Sequence, residues 1–211
     1  MRTLGCLTAL LSVASAFASA EVRKVTADFD SLKADVSPAG WESGFLGEKG
    51  APRWLVKRER SALSASHVLR QEGDAPYAWI VRSGFEALNG VAEVQFRIES
   101  GKIDPEAGLI WRFQDARNYY YVRGNALLNN IVFYRMLDGR KEAVKSVDLP
   151  VAYGRWHRFK VVFRDDSVAV TYDGKQIMSL QDTRLRKPGR VGLFSMADTV
   201  ASFDDFAAEA K

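Results

Sequence analysis

Cysteine is almost absent from this chain of 211 residues, because Cys6 is the only one and it lies in an apolar amino-terminal stretch. Disulfides are therefore excluded as a source of stability, and the fold must rest on a buried core. Histidine is also scarce, with His67 and His157 as the two examples. Neither has a second histidine at a metal-ligand spacing, and no cluster of His, Asp and Glu stands out as a metal site.

Strong charge bias is missing as well. The formal net charge is +4, and lysines and arginines alternate with apolar residues instead of forming long basic runs. This excludes nucleic acid as an expected partner. No low-complexity tract, repeat or linker divides the chain, and no segment after the leader has a helical period. The sequence predicts one all-β domain over residues 21–211.

The first twenty residues have the features of a signal peptide. Arg2 supplies the positive start, an apolar run of small residues follows, and Ala18-Ser19-Ala20 forms an A-x-A cleavage site. The run is too short and too rich in Ala and Ser for a membrane anchor. We expect a secreted or periplasmic protein that begins near Glu21, has no membrane span and is a monomer.

Alternation of apolar and polar residues is the main structural signal. In the segment 91–98, Ala92, Val94, Phe96 and Ile98 fall on one face, which is typical of a strand with one buried side. The segment 156–164 alternates in the same way. Together with Asp-Gly turns at 138–139 and 173–174, about a dozen such strands predict an antiparallel two-sheet sandwich.

Several motifs together resemble a known group. They are G-L-I-W-R-F, D-x-x-N-Y-Y-Y-V-R, W-H-R-F-K-V, Y-D-G-K and the closing G-x-V-G-L-F…F-D-D-F, between residues 91 and 206. This set is similar to the concanavalin A-like, laminin G-like jelly rolls of bacterial secreted proteins. The closest group is the family 16 glycoside hydrolase-like one named for 3-keto-disaccharide hydrolases. The resemblance implies two curved antiparallel sheets, with carbohydrate bound on the concave outer face or on its rim loops.

That resemblance also implies a ligand-binding surface made of aromatic and arginine side chains. The residues at matching positions are Arg112, Tyr119, Tyr121, Arg123 and Tyr134. Tyrosine rings cover the C–H faces of sugars and arginine reaches paired hydroxyl groups, so this combination suits carbohydrate. The alternative is a cross-strand ladder that only stiffens a solvated sheet. If Trp111 and Phe113 are core residues, strand parity places Arg112 on the outer surface.

Acidic residues favour no glucanase chemistry. A retaining glycosidase needs two carboxyl groups about 5 Å apart, which glucanases of this superfamily place on one strand as E-x-D-x-x-E. Glu72 and Asp74 begin that pattern, but Tyr77 replaces its last acid. A different acidic set lies near the two chain ends, where paired terminal strands would bring carboxylates together for a structural calcium ion. Its members are Asp28, Asp30, Asp204 and Asp205.

Two functions remain open. The first is a secreted, non-catalytic, lectin-like carbohydrate-binding protein. The second, which the resemblance implies, is a hydrolase or lyase for 3-keto-glycosides. A ketone makes the neighbouring proton acidic, so one base and one electrophile would suffice. The candidates are Glu93 or Glu106 as base and Arg112 or Arg123 as electrophile. If neither role falls on this surface, the glycine-rich loop around Trp41 is the next candidate site.

Overall fold

A computed structural model describes residues 22–211, and the predicted signal peptide at residues 1–20 lies outside this range. The described chain forms fifteen β-strands in two antiparallel sheets. The first sheet contains β1 (Arg23–Ala27), β3 (Trp54–Arg58), β4 (His67–Gln71), β6 (Gly90–Ser100), β11 (His157–Arg164), β12 (Ser167–Tyr172), β13 (Lys175–Gln181) and β15 (Val200–Ala210). The second contains β2 (Trp41–Gly44), β5 (Ala75–Ala87), β7 (Glu106–Asp115), β8 (Asn118–Asn125), β9 (Asn130–Leu137), β10 (Arg140–Asp148) and β14 (Gly189–Ala197).

Strand order follows the crossovers of a jelly roll. The first sheet runs β13-β12-β11-β6-β15-β4-β3, with β1 beside the later part of β15, and the second runs β10-β9-β8-β7-β14-β5-β2. The predicted fold class, an all-β antiparallel sandwich, is confirmed. The described residues include no helix that could cross a membrane.

The hydrophobic core fills the space between the two sheets. On β6 the predicted inward residues are buried, and Phe96 stacks on Phe159 of β11 with ring centroids 4.8 Å apart. From the second sheet, Trp111 stacks on Phe133 at 5.1 Å. The alternation read from both segments is confirmed, because the side of each strand that faces the other sheet carries the apolar residues.

The two Asp-Gly turns are also confirmed. Asp138 and Gly139 join β9 to β10 with φ angles of 51° and 79°, and Asp173 and Gly174 join β12 to β13 with 45° and 83°. Positive φ at both central residues is the type I′ geometry that matches the twist of paired strands. These turns set the register of both hairpins.

Two predicted boundaries differ from the structure. The glycine-rich stretch 38–52 contains a short strand, β2, whose Gly44 lies against Trp79 so closely that a Cβ atom would meet the indole at 2.5 Å. The sequence also predicts a strand over residues 62–71, and in the structure this strand, β4, begins only at His67. The preceding residues form a loop because the Asp204 carboxylate accepts hydrogen bonds from the amides of Leu63 and Ser64.

Candidate functional site

A second apolar cluster lies on the outer face of the second sheet, away from the core. On β8 the side chains alternate, so Tyr120 and Val122 enter the core while Tyr119 and Tyr121 point outward. The ring of Tyr121 lies between those of Phe194 and Tyr134, and its centroid is 4.3 Å from that of Phe194. The buried members of this outer cluster are Trp79, Val81, Ile110, Phe113, Tyr119, Tyr121, Met136, Phe194 and Met196.

Side chains from distant strands meet above this cluster. Lys141 of β10 places its ammonium nitrogen 5.6 Å from the ring centroid of Tyr77 on β5 and 5.2 Å from that of Tyr134 on β9. Strands β10 and β5 are five steps apart in the sheet order, which is roughly 24 Å in a flat sheet. The sheet must therefore curl into a groove, and these three side chains cover it.

A buried ion pair occupies one end of the groove. Glu106 and Arg123 project from neighbouring strands, and their carboxylate Oε1 and guanidinium Nε atoms are 2.5 Å apart. The side chains are both 3% exposed. Asn125 donates from Nδ2 to Glu106 at 3.2 Å and to the Asp104 carboxylate at 2.6 Å. The pair is thus held by the β7–β8 register, in which Glu106 lies opposite Asn125.

The guanidinium of Arg123 also reaches β9. Its Nη1 atom donates to the backbone carbonyl of Asn130 at 3.2 Å and to that residue's side-chain oxygen, and Nη2 donates to the Tyr134 hydroxyl at 3.1 Å. The Tyr134 ring stacks on Tyr121 with centroids 5.0 Å apart. Arg123 therefore links the ion pair at the groove end to the aromatic rings beside it.

The Glu106 carboxyl has an unusual affinity for its proton. Burial raises its pKa to about 7, the charge of Arg123 opposes that rise, and the neighbouring Asp104 adds to it. A carboxyl that titrates near neutral pH can both take up and release a proton there, which is the property required of a general base. Burial also raises the pKa of Tyr121 well above its usual value, so its hydroxyl stays neutral.

Besides the Nε atom of Arg123, which faces the Glu106 carboxylate in the ion pair, three polar atoms in the groove have no hydrogen-bond partner among the described residues. They are the hydroxyls of Tyr119 and Tyr121 and the indole nitrogen of Trp79, all fully enclosed. An enclosed donor without a partner costs free energy. These atoms could bond to a polar molecule that enters when the covering side chains move apart.

Arg112 does not belong to this groove, and its predicted exposure is wrong. The residue has a φ angle of 49° at a bulge between Trp111 and Asp115. The bulge reverses the alternation, so Phe113 lies on the outer face. The Arg112 side chain is fully buried and donates to three backbone carbonyls, those of Leu88 at 3.0 Å, Leu185 at 2.8 Å and Asp165 at 2.5 Å.

The other four predicted residues do share the outer face of the second sheet. However, Tyr119, Tyr121 and Arg123 are buried there, and only Tyr134 is partly exposed. The expectation of an open surface is wrong for those three, because the curled sheet and its covering side chains shield them. Their role in ligand binding stays a prediction.

The two histidines have structural partners. The ring of His157 is buried, and its Nε2 accepts a hydrogen bond from the Ala152 amide. The other ring nitrogen, Nδ1, lies 2.8 Å from the Asp173 carboxylate and 2.7 Å from the Tyr172 hydroxyl. Within residues 22–211, no group of three or more His, Cys, Asp or Glu side chains could hold a metal ion.

The four carboxylates proposed for calcium have different surroundings in the structure. Asp204 binds the amides of the 63–64 loop, and Asp30 accepts from the amides of Ser66 and His67 at 2.8 and 2.9 Å. Asp28 and Asp205 line a cleft of about 400 Å³ on the outer face of the first sheet. Among the described residues these acids form no group that could hold a metal ion, so the calcium hypothesis is not supported.

Of the alternative bases, Glu93 is far from the groove. It lies on the outer face of the first sheet and accepts a hydrogen bond from Arg158 at 2.7 Å. Lys141 and Tyr77 were missed by sequence reasoning, since only sheet curvature brings them together. Asn125 was missed as well, because a turn at 116–117 alone would pair Glu106 with residue 127, and the bulge between Trp111 and Asp115 shifts the register to Asn125.

Solved structures with a similar fold include carbohydrate-binding proteins and glucanases. A carbohydrate-binding module from Bacillus subtilis, CBM66, matches with a TM-score of 0.64 at 17% identity over 81% of this chain and 96% of that one. A galectin-like protein of unknown function from the same species gives 0.57 at 13% over 81% and 90%. A β-glucanase from Bacillus licheniformis gives 0.55 at 11% over 89% and 98%.

No family model matches this sequence, and no curated protein does. At these identities the structural matches show a shared fold. The predicted resemblance is therefore confirmed at the level of the jelly roll, while membership of the 3-keto-disaccharide hydrolase group stays a prediction. The chain has the jelly-roll sandwich fold found in carbohydrate-binding modules and β-glucanases.

Proposed function

We propose that this protein is a secreted, lectin-like carbohydrate-binding protein that takes its ligand in the groove of the second sheet. The observation that carries the proposal is the arrangement at the groove end. The half-buried ring of Tyr134 stands beside the Arg123 and Glu106 side chains, which offer paired donors and acceptors. Sugars present C–H faces and paired hydroxyl groups, which match this combination.

The fold supports the same proposal. The chain shares its fold with one protein named as a carbohydrate-binding module and with another named as a β-glucanase. Fold likeness alone does not assign function, so the groove residues carry the argument. Binding requires the Lys141 side chain and its neighbours to move aside, since Tyr121 and Arg123 are buried beneath them. Side-chain rotations of this kind are fast and local.

A glycan panel tests the proposal. We expect at least one glycan to bind the purified protein, and Tyr134→Ala to weaken that binding by about 1 kcal/mol or about fivefold, because the stacking ring is lost. The matched control is Trp156→Ala, an aromatic residue directly before β11 of the other sheet, whose indole donates to the backbone carbonyl of Ser61. If Trp156→Ala reduces affinity and Tyr134→Ala does not, the ligand site is not this groove.

The exported state is part of the proposal. The A-x-A site before Glu21 supports it. Amino-terminal sequencing of the protein from its native host should give a start at or near Glu21. Material that begins at Met1, or that stays inside the cell, would contradict secretion.

A second candidate function is a lyase acting on 3-keto-glycosides, and the Glu106–Arg123 pair favours it. The Glu106 carboxylate would remove the proton from the carbon between the ketone and the anomeric carbon. Arg123 would hold the negative charge that develops on the ketone oxygen. The electron pair then returns to expel the glycosidic oxygen, which receives the proton from Glu106. The products are an unsaturated ketone and a free alcohol.

A 3-keto-disaccharide separates the two functions. If the protein is a lyase, turnover should rise with pH through about 7, as Glu106 loses its proton. Glu106→Gln should abolish turnover and keep binding, since the amide retains the shape of the acid. Binding without turnover by the native protein would leave the lectin-like function.

A further inference from the structure

The groove of the second sheet already contains an organic cation, which belongs to the chain itself. The Lys141 ammonium lies over the rings of Tyr77 and Tyr134 at 5.6 and 5.2 Å. Within the described residues that ammonium forms no ion pair. Its position is therefore set by two aromatic faces, the arrangement by which proteins recognise ligand ammonium groups.

Negative charge lies close to the same point. Glu106 and Asp104 sit at this end of the groove, bridged by Asn125, and the buried guanidinium of Arg123 lies beside Glu106. Burial raises the pKa of Glu106, while the charges of Arg123 and, more weakly, Lys141 oppose the rise, so the lysine charge is felt at the carboxyl. When Glu106 is ionised, the two acids and one arginine make the groove end complementary to one further positive charge, and a bound cation would in turn lower the pKa of Glu106, as the charge of Lys141 does.

We propose that the two tyrosine rings and the neighbouring acids form a recognition site for the ammonium group of an amino sugar, and that Lys141 occupies this site when no ligand is bound. The proposal rests on the glycan-binding function above and names its ligand class. The glycan would carry unsubstituted amino groups, as glucosamine polymers do. Its ammonium replaces that of Lys141, its ring stacks on Tyr134, and its hydroxyls meet the polar atoms that the movement of Lys141 exposes.

A preference for a cationic glycan would not arise from general electrostatics. The chain carries a formal net charge of +4, so nonspecific attraction favours acidic glycans and disfavours cationic ones. A local cage must overcome that bias. Selectivity for the amine over its acetylated form is therefore a specific signature of the proposed site.

Isothermal titration with two probes tests the proposal: a glucosamine hexamer and its fully N-acetylated counterpart, both at near-neutral pH, where Glu106 is partly ionised. We expect the native protein to bind the amine form about tenfold more tightly. Tyr77→Leu should remove most of that ratio, because one wall of the cage is lost while an apolar side chain remains. Lys141→Met keeps the apolar stem and removes the competing charge, so it should raise affinity for the amine form about fivefold.

The control variant is Lys160→Met, a lysine on the outer face of the first sheet, which should change neither affinity. Equal tightening of both probes by Lys141→Met would mean that Lys141 is only a steric cover, and the ammonium site would be wrong. Equal binding of both probes by the native protein would also overturn it while leaving carbohydrate binding intact. If no glycan of any kind binds, the proposed function itself fails.

Discussion

The interior between the two sheets and the groove of the second sheet both bury stacked aromatic rings, but they are closed in different ways. Trp111 packs on Phe133 between two layers of backbone. Tyr121, equally inaccessible, is covered only by side chains such as Tyr134 and, above that ring, Lys141. A ring that is covered by backbone becomes accessible only when the protein unfolds, whereas a ring that is covered by side chains becomes accessible when those side chains change rotamer. Burial in the groove is therefore compatible with binding.

The largest effect should come from breaking the interior. Trp111→Ala removes a fully buried indole that stacks on Phe133, and Phe96→Ala removes the ring that stacks on Phe159. Each should lower the free energy of unfolding by roughly 3–5 kcal/mol, since a cavity remains. Urea denaturation measures this. Unfolding midpoints near that of the native protein would show that these rings do not form the core.

Arg112 should behave as an interior residue although it is charged. Arg112→Met removes donors from three backbone carbonyls, and leaving buried polar groups unpaired should lower the free energy of unfolding by roughly 3–4 kcal/mol. The control is Arg117→Met, an exposed arginine that donates to the Asp138 carbonyl, with an expected change below about 0.5 kcal/mol. If both variants have similar unfolding midpoints, the Arg112 side chain is not buried and lies at the surface.

Local patterns were sufficient to predict much of the fold. The alternation in 91–98, the matching one in 156–164 and the two Asp-Gly turns depend on neighbouring residues, so sequence reveals them. The Arg112 bulge could not be read, because an arginine with positive φ inside an apolar run has no sequence signal. Beyond the bulge, strand parity is reversed, so Phe113 lies on the outer face, whereas simple alternation would place it in the core with Trp111.

The residues of the candidate site also divide into those that the sequence could identify and those that it could not. Glu106 and Arg123 were among the alternatives for base and electrophile, and the short β7–β8 hairpin brings them together. The contact of Lys141 with Tyr77 joins strands that are distant in the sheet, and it depends on how far the sheet curls. Curvature is a property of the whole sheet, so no local pattern contains it.

The pH dependence of stability should report the protonation of Glu106 in the groove. Burial raises the pKa of Glu106 from 4.5 to about 7. Between these values the folded protein keeps a proton that the unfolded chain has lost, so this contribution to stability is full below 4.5 and is lost as pH rises through about 7. The shift corresponds to about 3 kcal/mol.

Comparison with Glu106→Gln isolates that contribution. Other acids titrate equally in both proteins, so the difference between the two stability curves reports Glu106 alone. Relative to the Gln variant, the native protein should lose stability as pH rises from about 5 to about 7. Parallel curves across this range would mean that the carboxyl is ionised throughout, as in an ordinary ion pair.

The smallest effect, and the sharpest test of the comparison, concerns three consecutive tyrosines. Tyr121→Phe removes a buried hydroxyl that has no partner among residues 22–211, so the variant should be more stable by about 1 kcal/mol. Tyr119→Phe should act in the same direction for the same reason. Affinity for a glycan that binds the groove should fall in both variants, because the hydroxyls are there to meet the ligand.

Tyr120→Phe is the matched control, since the same atom is removed one residue away on the opposite face of β8. Its hydroxyl donates to the Asp182 carboxylate at 2.5 Å and accepts from the Leu185 amide at 2.9 Å. This variant should lose about 1–2 kcal/mol of stability and keep its glycan affinity. Thermal midpoints and titrations of the three variants measure both quantities. If Tyr121→Phe is destabilised as much as Tyr120→Phe, its hydroxyl has a structural partner and the groove is a second core.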